Sequence, residues 1–415
     1  MLAPLSSAPA AEAQSPIPNP SSNRTPSQST LQACYSSATS QACIGDALAD
    51  VNAARVSEGV LPMVLPGDWN SLTIPQQLLV LSNLERIDRG LVAIEGLSAN
   101  LDSYAQTGAD NDADPFEDPF PGSEETANWE GGYVSPLVSD FGWMYDDGYG
   151  SPNLDCTSPT SEGCWGHRED ILAGFTEPLV MGAAYAAGEQ YGASETELFV
   201  GGDTETGPGQ PDAPIAPTWA TIASTLPIGL SATTLTLARG TTTSQLTAWA
   251  SGEVMNVRAA VTSGSGTWHV SPASCQLDPG QSCKLTVTAT SAAPGAGKLT
   301  LTGPNGAQTV ALGGPSHQPV TPKISAKLNH SKIKRGKSTE LTGTVSTYAP
   351  GTYADLQERH DKSWSSVSRV ELRIGGKFSF TIRGRSKGKF SYRVVIAASG
   401  YFRSASSKTV TLGVS

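Results

Sequence analysis

Cys164-Trp165-Gly166-His167-Arg168-Glu169-Asp170-Ile171-Leu172 is the stretch on which the reading of this chain turns. It holds the only histidine of the first 268 residues. A turn-forming glycine precedes His167, an Arg-Glu pair follows it, and Ile171-Leu172 supplies an apolar anchor. An imidazole titrates near neutral pH. Set between charged neighbours and a core anchor, it marks the rim of a site.

Outward from this stretch the pattern is mixed. Residues 44–110 carry helical periodicity, with Leu78, Leu79, Leu81, Leu84, Ile87 and Leu91 at i, i+3/i+4 spacing. Pro75 suits the start of that helix and Gly90 its end. Residues 110–165 read as loops, with acidic clusters at Asp110-Asn-Asp112-Ala-Asp114 and Tyr145-Asp146-Asp147-Gly148. Residues 180–186 and 197–202 read as short buried strands. Thr204–Pro217 is rich in Gly and Pro and reads as a linker.

Beyond the linker apolar and polar residues alternate in short runs, as in Leu230-Ser-Ala-Thr-Thr-Leu-Thr-Leu, Gln245-Leu-Thr-Ala-Trp-Ala and Lys284-Leu-Thr-Val-Thr-Ala-Thr. Lys298-Leu-Thr-Leu-Thr and Gln308-Thr-Val-Ala-Leu continue the style, which predicts a β-sandwich. After a second linker at Pro315–Thr321 the alternation returns in Ile324–Leu328, Ser338–Val345, Phe378–Ile382, Tyr392–Ile396 and Thr409–Val414, predicting a second sandwich.

The 415 residues are enough for two to three domains. No run of about 18 apolar residues is present, so no transmembrane helix is predicted. The six cysteines fall as Cys34/Cys43, Cys156/Cys164 and Cys275/Cys283. None forms a Cys-x-x-Cys, which argues against zinc. Three local disulfides in an oxidising compartment is the economical reading, each worth ~2–3 kcal/mol by loop entropy. The first residues lack a basic stretch and an adequate apolar run, yet Ala11-Glu12-Ala13 resembles a cleavage site, as in the remnant of a signal peptide. Residues 14–30 are Pro/Ser/Asn-rich and are predicted disordered. The net charge of −11 hides an asymmetry: from Pro322 onward 18 Lys and Arg face 5 Asp and Glu. An acidic body and a basic tail suit different partners.

Several segments together resemble the bacterial CAP superfamily, the SCP-like domains of the cysteine-rich secretory and pathogenesis-related type. Gly166-His-Arg-Glu169 matches the family's Gly-His-Arg-Glu, Trp143-Met144 the preceding Trp-Met, and Val180-Met-Gly-Ala-Ala-Tyr185 its Gly-x-Gly/Ala-Tyr strand. Asn83-Leu-Glu-Arg86-Ile-Asp-Arg-Gly90 matches the opening helix. A second copy, Asn52-Ala-Ala-Arg55-Val-Ser-Glu-Gly59, fits the same local pattern, and the later one is preferred for the Leu101 and Ala105 that follow it. Ser274–Val287 and parts of residues 354–380 resemble bacterial Ig-like modules. The resemblance implies an α+β chain: an α-β-α sandwich CAP domain followed by two Ig-like β-sandwich domains. The expected division is 1–43 signal remnant and Ser/Pro-rich segment, 44–205 CAP-like domain, 206–222 linker, 223–315 Ig-like sandwich and 316–415 basic Ig-like sandwich.

CAP clefts typically present two histidines and two glutamates. His167 matches the second histidine and Glu169 the acid of its motif; nothing near Ala105–Ala109 supplies the first histidine, and Glu130 only loosely matches the Gly-Glu-Asn segment. As an enzyme, the chain would use His167 as general base and Glu169 as its orienter or an acid. The alternative reading packs His167 at a helix start and leaves Arg168 and Glu169 on the surface. No Gly-x-Ser-x-Gly is present, and the cysteines read as paired. Trp143, Trp165, His167 and Glu130 are the expected ligand-binding residues. No metal or cofactor is expected. The alternative is calcium at Asp146, Asp147 and Asp155, with Asp110, Asp112 and Asp114 echoing a calcium loop that lacks its glycine and glutamate. The expected function is a secreted, extracellular or wall-associated, non-enzymatic module. It would hold a small or lipidic ligand in the cleft, and its basic end would meet anionic cell-wall polymers rather than nucleic acid. The alternative is a hydrolase of peptide or cell-wall substrate.

Overall fold

The structure is a computed structural model describing residues 15–115, 123–132, 135–187, 190–202, 215–238, 241–290, 294–314, 320–346, 351–373, 375–398 and 402–415. The chain divides into two compact units, Met1–Gly314 and Pro315–Ser415.

In the first unit α1 (Gln28–Ser36) and α2 (Gln41–Ser57) lead into α3 (Ile74–Ile87). A capping box of Thr73 and Gln76 starts α3, with Pro75 in its first turn. Then come β1 (Gly96–Ser98), α4 (Ala99–Asp110), β2 (Glu124–Gly131), α5 (Pro136–Tyr145) and α6 (Gly166–Ile171). This part ends with β3 (Leu179–Ala187), β4 (Ala193–Gly201), β5 (Ile215–Thr218) and α7 (Trp219–Ala223). Among the described residues the five strands form one sheet in the order β2-β4-β3-β1-β5.

Helices cover both faces of that sheet, because alternate residues of β3 and β4 face opposite ways. On one face Leu101 of α4 packs with Val180, Leu198 and Val200, and Ala105 and Ala109 pack with Ala184 and Ala186. Gly182 allows this close approach: a Cβ there would stand 2.3 Å from the Leu101 carbonyl carbon. On the other face Met181, Ala183 and Phe199 join the core of α3 and α5. Leu78, Leu79, Val80, Leu81 and Leu84 are all buried, so α3 is enclosed on most of its circumference.

Here the structure departs from the expected boundaries. Residues 1–14, which carry the signal-remnant reading, lie outside the described residues. Residues 15–27 are tied to the domain: Arg24 N donates to Tyr145 O, Asn23 bonds Gly148 at both its N–H and its carbonyl, and Ser27 N donates to Asp50. The expected linker contains β5 and most of α7. The expected loop region 110–165 contains β2 and α5. Sequence patterning misses β2 because its buried positions are Glu125, Thr126 and Asn128 rather than apolar residues, and α5 because it is buried nearly all round and shows no stripe.

The first sandwich pairs two sheets. One contains Trp268–Ser271, Ser282–Ala289, Thr243–Trp249 and Gly229–Leu230; the other contains Ser274–Leu277, Met255–Ser263, Gly297–Gly303, Gly306–Gly313 and Thr234–Thr236. Leu246, Leu285 and Val287 from one meet Val257, Leu299 and Leu301 from the other. This sandwich shares its core with the helical part. Trp249 Nε1 donates to Pro62 O at 2.8 Å, and Trp219 Nε1 to Gly252 O at 3.3 Å.

The second unit is a separate sandwich. Ile324–Leu328, Ser338–Val345 and Lys377–Arg383 form one sheet, with Leu341 opposite Phe380. The second sheet runs through Lys332–Ile333, Val410–Val414, Gly388–Ile396, Tyr353–His360 and Ser363–Glu371, with Leu356 opposite Val394. Leu341, Phe378, Phe380, Val394 and Leu412 are its core. The three disulfides are Cys34–Cys43, Cys156–Cys164 and Cys275–Cys283, the local pairing expected from spacing.

Candidate ligand-binding cleft

His167 is positioned from below. Arg168, its neighbour on α6, is buried rather than on the surface. Its guanidinium donates to Met144 O at 2.7 Å and Glu58 Oε2 at 3.0 Å, and lies over the Tyr145 ring. That anchor ties α6 to α5 and turns His167 toward an open cleft of about 350 Å³. Glu130 of β2, Gly142 and Trp143 of α5, Asp146, Asp147 and Asp155 line this cleft with His167. Trp129, Leu154 and Tyr191 add apolar surface, and the Trp129 and Tyr191 rings meet edge-on with centroids 5.5 Å apart. Loop residues 152–155 form one wall, pinned by Cys156–Cys164 and by Asn153, which donates to Asp147 Oδ1 at 2.6 Å and Gly163 O at 2.8 Å.

Asp147 is the partner of His167. Its Oδ1 stands 2.7 Å from His167 Nδ1, and its Oδ2 accepts from Arg168 N at 3.5 Å. Burial works against a charged imidazole, but the Asp147 hydrogen bond and charge outweigh it and push His167 up to about 9. His167 is therefore an imidazolium at neutral pH. Glu169 does not orient it: that side chain is exposed and accepts from Asn19 Nδ2 at 2.6 Å, because Glu169 faces away from the cleft. Trp165 packs against Gly148 and is not part of the cleft lining. Trp143 is almost wholly buried, its Nε1 donating to Trp129 O at 3.1 Å.

Behind Glu130 the structure gathers acids that sequence reasoning missed. Glu130 lies opposite Glu195, and Asn128 opposite Glu197, in the β2–β4 pairing. Glu195 Oε2 accepts from Ser139 at 2.7 Å. Glu197 accepts from Asn128 Nδ2 and Ser82 Oγ, both at 2.8 Å. Asn128 Nδ2 also reaches His167 O at 3.2 Å, joining the acids to α6. Burial pushes Glu130 up to about 7, Glu195 to about 8 and Glu197 to about 7, and raises Asp140 as well. Burial and the Asp147 charge lift Asp146 to about 6. A signal was present for Glu197, which falls in the stretch 197–202 that reads as a buried strand; Glu195 stands two residues earlier on the same face of the strand.

Among the described residues no group of three or more His, Cys, Asp or Glu side chains is placed to hold a metal ion. Asp146, Asp147 and Asp155 all line the cleft without forming such a group, and Asp147 is bonded to His167. Asp110 and Asp112 hold no common site: Asp110 accepts from Gln106 Nε2, and Asp112 from Gln190 N. Residue 121, where that loop reading would need its glutamate and the sequence has proline, lies outside the described residues.

A second buried set lies below the cleft. Arg55 pairs with Glu85 at 2.7 Å and Asp88 at 2.6 Å. Arg89 joins Glu58 at 2.9 Å and also bonds Glu85, and the Tyr145 hydroxyl donates to Glu85. With Arg168 this makes three cations against three carboxylates. Burial works against the charged form of Glu85, but Arg55 and Arg89 overcome it and hold Glu85 down at about 2.

No family model and no curated protein matches the sequence. Solved structures similar to parts of the chain include the D0-D1 domain of Intimin, 15% identical over 45% of this chain and 97% of that one, with a TM-score of 0.19. Yersinia pseudotuberculosis adhesin InvE is 12% identical over 45% of this chain and 58% of that one, TM-score 0.24. Pseudomonas aeruginosa CupB2 chaperone is 12% identical over 44% and 100%, TM-score 0.19. At such identities and scores, function has to be read from the site itself. No helix among the described residues is long and apolar enough to cross a membrane.

Proposed function

We propose that the first unit carries a CAP-like, non-enzymatic binding domain of an extracellular protein, with two Ig-like sandwiches following it. The observation that carries the reading is the His167–Asp147 pair in the wall of an open, aromatic-lined cleft. A general base needs a free nitrogen near neutral pH. Held up at about 9, the imidazole is mostly protonated near neutral pH and offers a positive charge and a ring N–H. Such a cleft suits a small amphipathic ligand with an apolar body against Trp129, Tyr191 and Leu154 and an acceptor group on His167. Three disulfides fit an oxidising compartment. The basic last sandwich serves as the anchor to anionic wall polymers.

A second reading is favoured by Glu130, whose carboxyl near 7 is poised for proton transfer. It makes the cleft hydrolytic with Glu130, rather than His167 or Glu169, as the acid–base group. Both readings meet one experiment. Wild type, His167→Gln and Glu130→Gln are incubated with purified cell walls while soluble fragments are followed, and each is titrated with a medium-chain fatty acid. The binding reading expects no fragment release and a fatty-acid affinity about tenfold weaker in His167→Gln, the cost of one charged hydrogen bond. Release by wild type that Glu130→Gln abolishes establishes the hydrolase instead.

A further inference from the structure

In the second unit two basic runs far apart in sequence become one surface. Lys332-Ile-Lys-Arg-Gly-Lys337 and Arg383-Gly-Arg-Ser-Lys-Gly-Lys389 are clasped turn to turn. Gly336 N donates to Gly384 O at 2.7 Å, and Gly384 N returns to Lys337 O at 2.9 Å. Two arginines cross the seam in opposite directions. Arg335 Nε donates to Arg385 O at 3.2 Å, and Arg383 Nε to Gly336 O at 3.3 Å. Each guanidinium is thereby oriented through Nε, leaving its two terminal nitrogens to other acceptors.

All eight cations of the two runs, Lys332, Lys334, Arg335, Lys337, Arg383, Arg385, Lys387 and Lys389, are exposed, and neither run contains an acid. Two acids flank the turns, and both are engaged. Glu340 accepts from Asn329 Nδ2 at 3.4 Å, and Glu358, which shares an open depression with Arg383 and Arg385, is bonded by the Tyr392 hydroxyl. Concentrating like charges on a hydrogen-bonded seam gains nothing for folding, since they repel one another; an anionic partner reverses the sign.

We propose that this clasped turn pair is the polyanion-binding site of the chain, and that its ligand is a linear, phosphate-bearing polymer with no aromatic bases. The inference rests on the reading of the last sandwich as an anchor and gives that anchor an address. The oriented guanidinium forks match phosphate oxygens. Neither run contains an aromatic ring, and of the rings beside Arg383 and Arg385 in the depression Tyr392 is buried and Phe390 packs against the core, whereas single-stranded nucleic acid draws its affinity from base stacking as well as from charge. A polymer that carries its charge along a flexible backbone needs only the cations.

The test measures binding of the full chain to synthetic poly(glycerol phosphate), and to single-stranded DNA of equal charge, at about 50 and 200 mM salt, a range over which phosphate contacts weaken sharply. Lys334→Gln/Lys337→Gln/Arg385→Gln/Lys387→Gln removes four charges from the seam. Lys362→Gln/Arg373→Gln/Arg403→Gln/Lys408→Gln removes four exposed charges elsewhere in the same sandwich. The seam variant is expected to bind poly(glycerol phosphate) about tenfold or more weaker and the control less than about threefold weaker, with a steep loss in salt. Equal loss in both variants, or none in the seam variant, overturns the placement while leaving the anchor reading intact. Tighter binding of DNA overturns the choice of polymer. No binding by wild type at the lower salt overturns the anchor reading together with the site.

Discussion

The exits of α2 and α3 carry the same three-residue signature, Asn, Arg and Gly at equal spacing, and use it in two different electrostatic settings. In each, an asparagine grips the backbone eleven residues on. Asn52 donates to Met63 O and accepts from Met63 N; Asn83 does the same with Ile94. In each, an arginine three residues later donates through Nε to a carbonyl six residues on, Leu61 O at 2.9 Å and Val92 O at 3.0 Å. In each, a glycine takes the left-handed turn, Gly59 at φ 80 and Gly90 at φ 81. Beyond that the two part. Arg55 reaches into carboxylates, whereas Arg86 reaches into the Ile171 and Ala173 carbonyls and lies over the Phe175 ring. With no carboxylate among those partners, burial lowers Arg86 to about 10. The shared local motif fixes how a helix ends, and the tertiary surroundings decide what its arginine is for.

Arg55→Ala is the sharpest way to break this comparison. It leaves Asp88 buried without its cation and Glu85 with Arg89 alone, and should cost about 3–5 kcal/mol, read as a lower denaturant midpoint for the first unit. Arg86→Ala removes hydrogen bonds from a charged donor to neutral carbonyls and should cost less, about 2–3 kcal/mol. Equal losses would mean that the ion pairs add nothing beyond the shared clasp.

The Arg55 setting also differs in pH response from the acids of the cleft. Glu85, held down at about 2, contributes stability that is present above its ordinary 4.5 and lost as pH falls toward 2. Glu130, Glu195 and Glu197, held up at about 7 to 8, contribute stability present below 4.5 and lost as pH rises through 7 to 8. His167 adds stability present below 6.5 and lost as pH rises through about 9. The melting temperature of the protein should peak near pH 5 and fall by about 5 °C or more by pH 9. Its acid-side fall should flatten in Arg55→Ala and persist in Arg86→Ala.

The smaller changes should erase the difference. Asn52→Ala and Asn83→Ala each lose a two-way backbone grip and should cost a similar 1–2 kcal/mol, roughly. Gly59→Ala and Gly90→Ala meet open space but a left-handed backbone, and should each cost about 1 kcal/mol. Unequal costs within either pair would show that the two exits are alike in sequence only.

Much of the fold is legible in the chain. The α3 stripe, the buried runs of β3 and β4 and the alternation of both sandwiches follow from periodicity, and the disulfides follow from spacing. What escaped depends on burial that only the tertiary fold supplies. Arg168 reads as a surface residue until Met144, Tyr145 and Glu58 close over it. Both copies of the helix-exit pattern were visible, yet choosing between them was unnecessary, because both are built. His167 was visible as a site residue, but Asp147, twenty residues upstream and packed against it by the chain's return, was not its expected partner. Glu169, its sequence neighbour, lies on the far side of the helix.

The central claim is that Asp147 holds His167 as a fixed cation in the cleft wall. Five histidines make the imidazole resonances assignable by NMR. Titration of the full chain should place His167 near 9, and in Asp147→Asn well below that, since burial is then opposed only by the charges of Asp114 and Asp170. A wild-type His167 that titrates near 6.5 and is indifferent to Asp147→Asn would contradict the account and return the imidazole to the role of a general base.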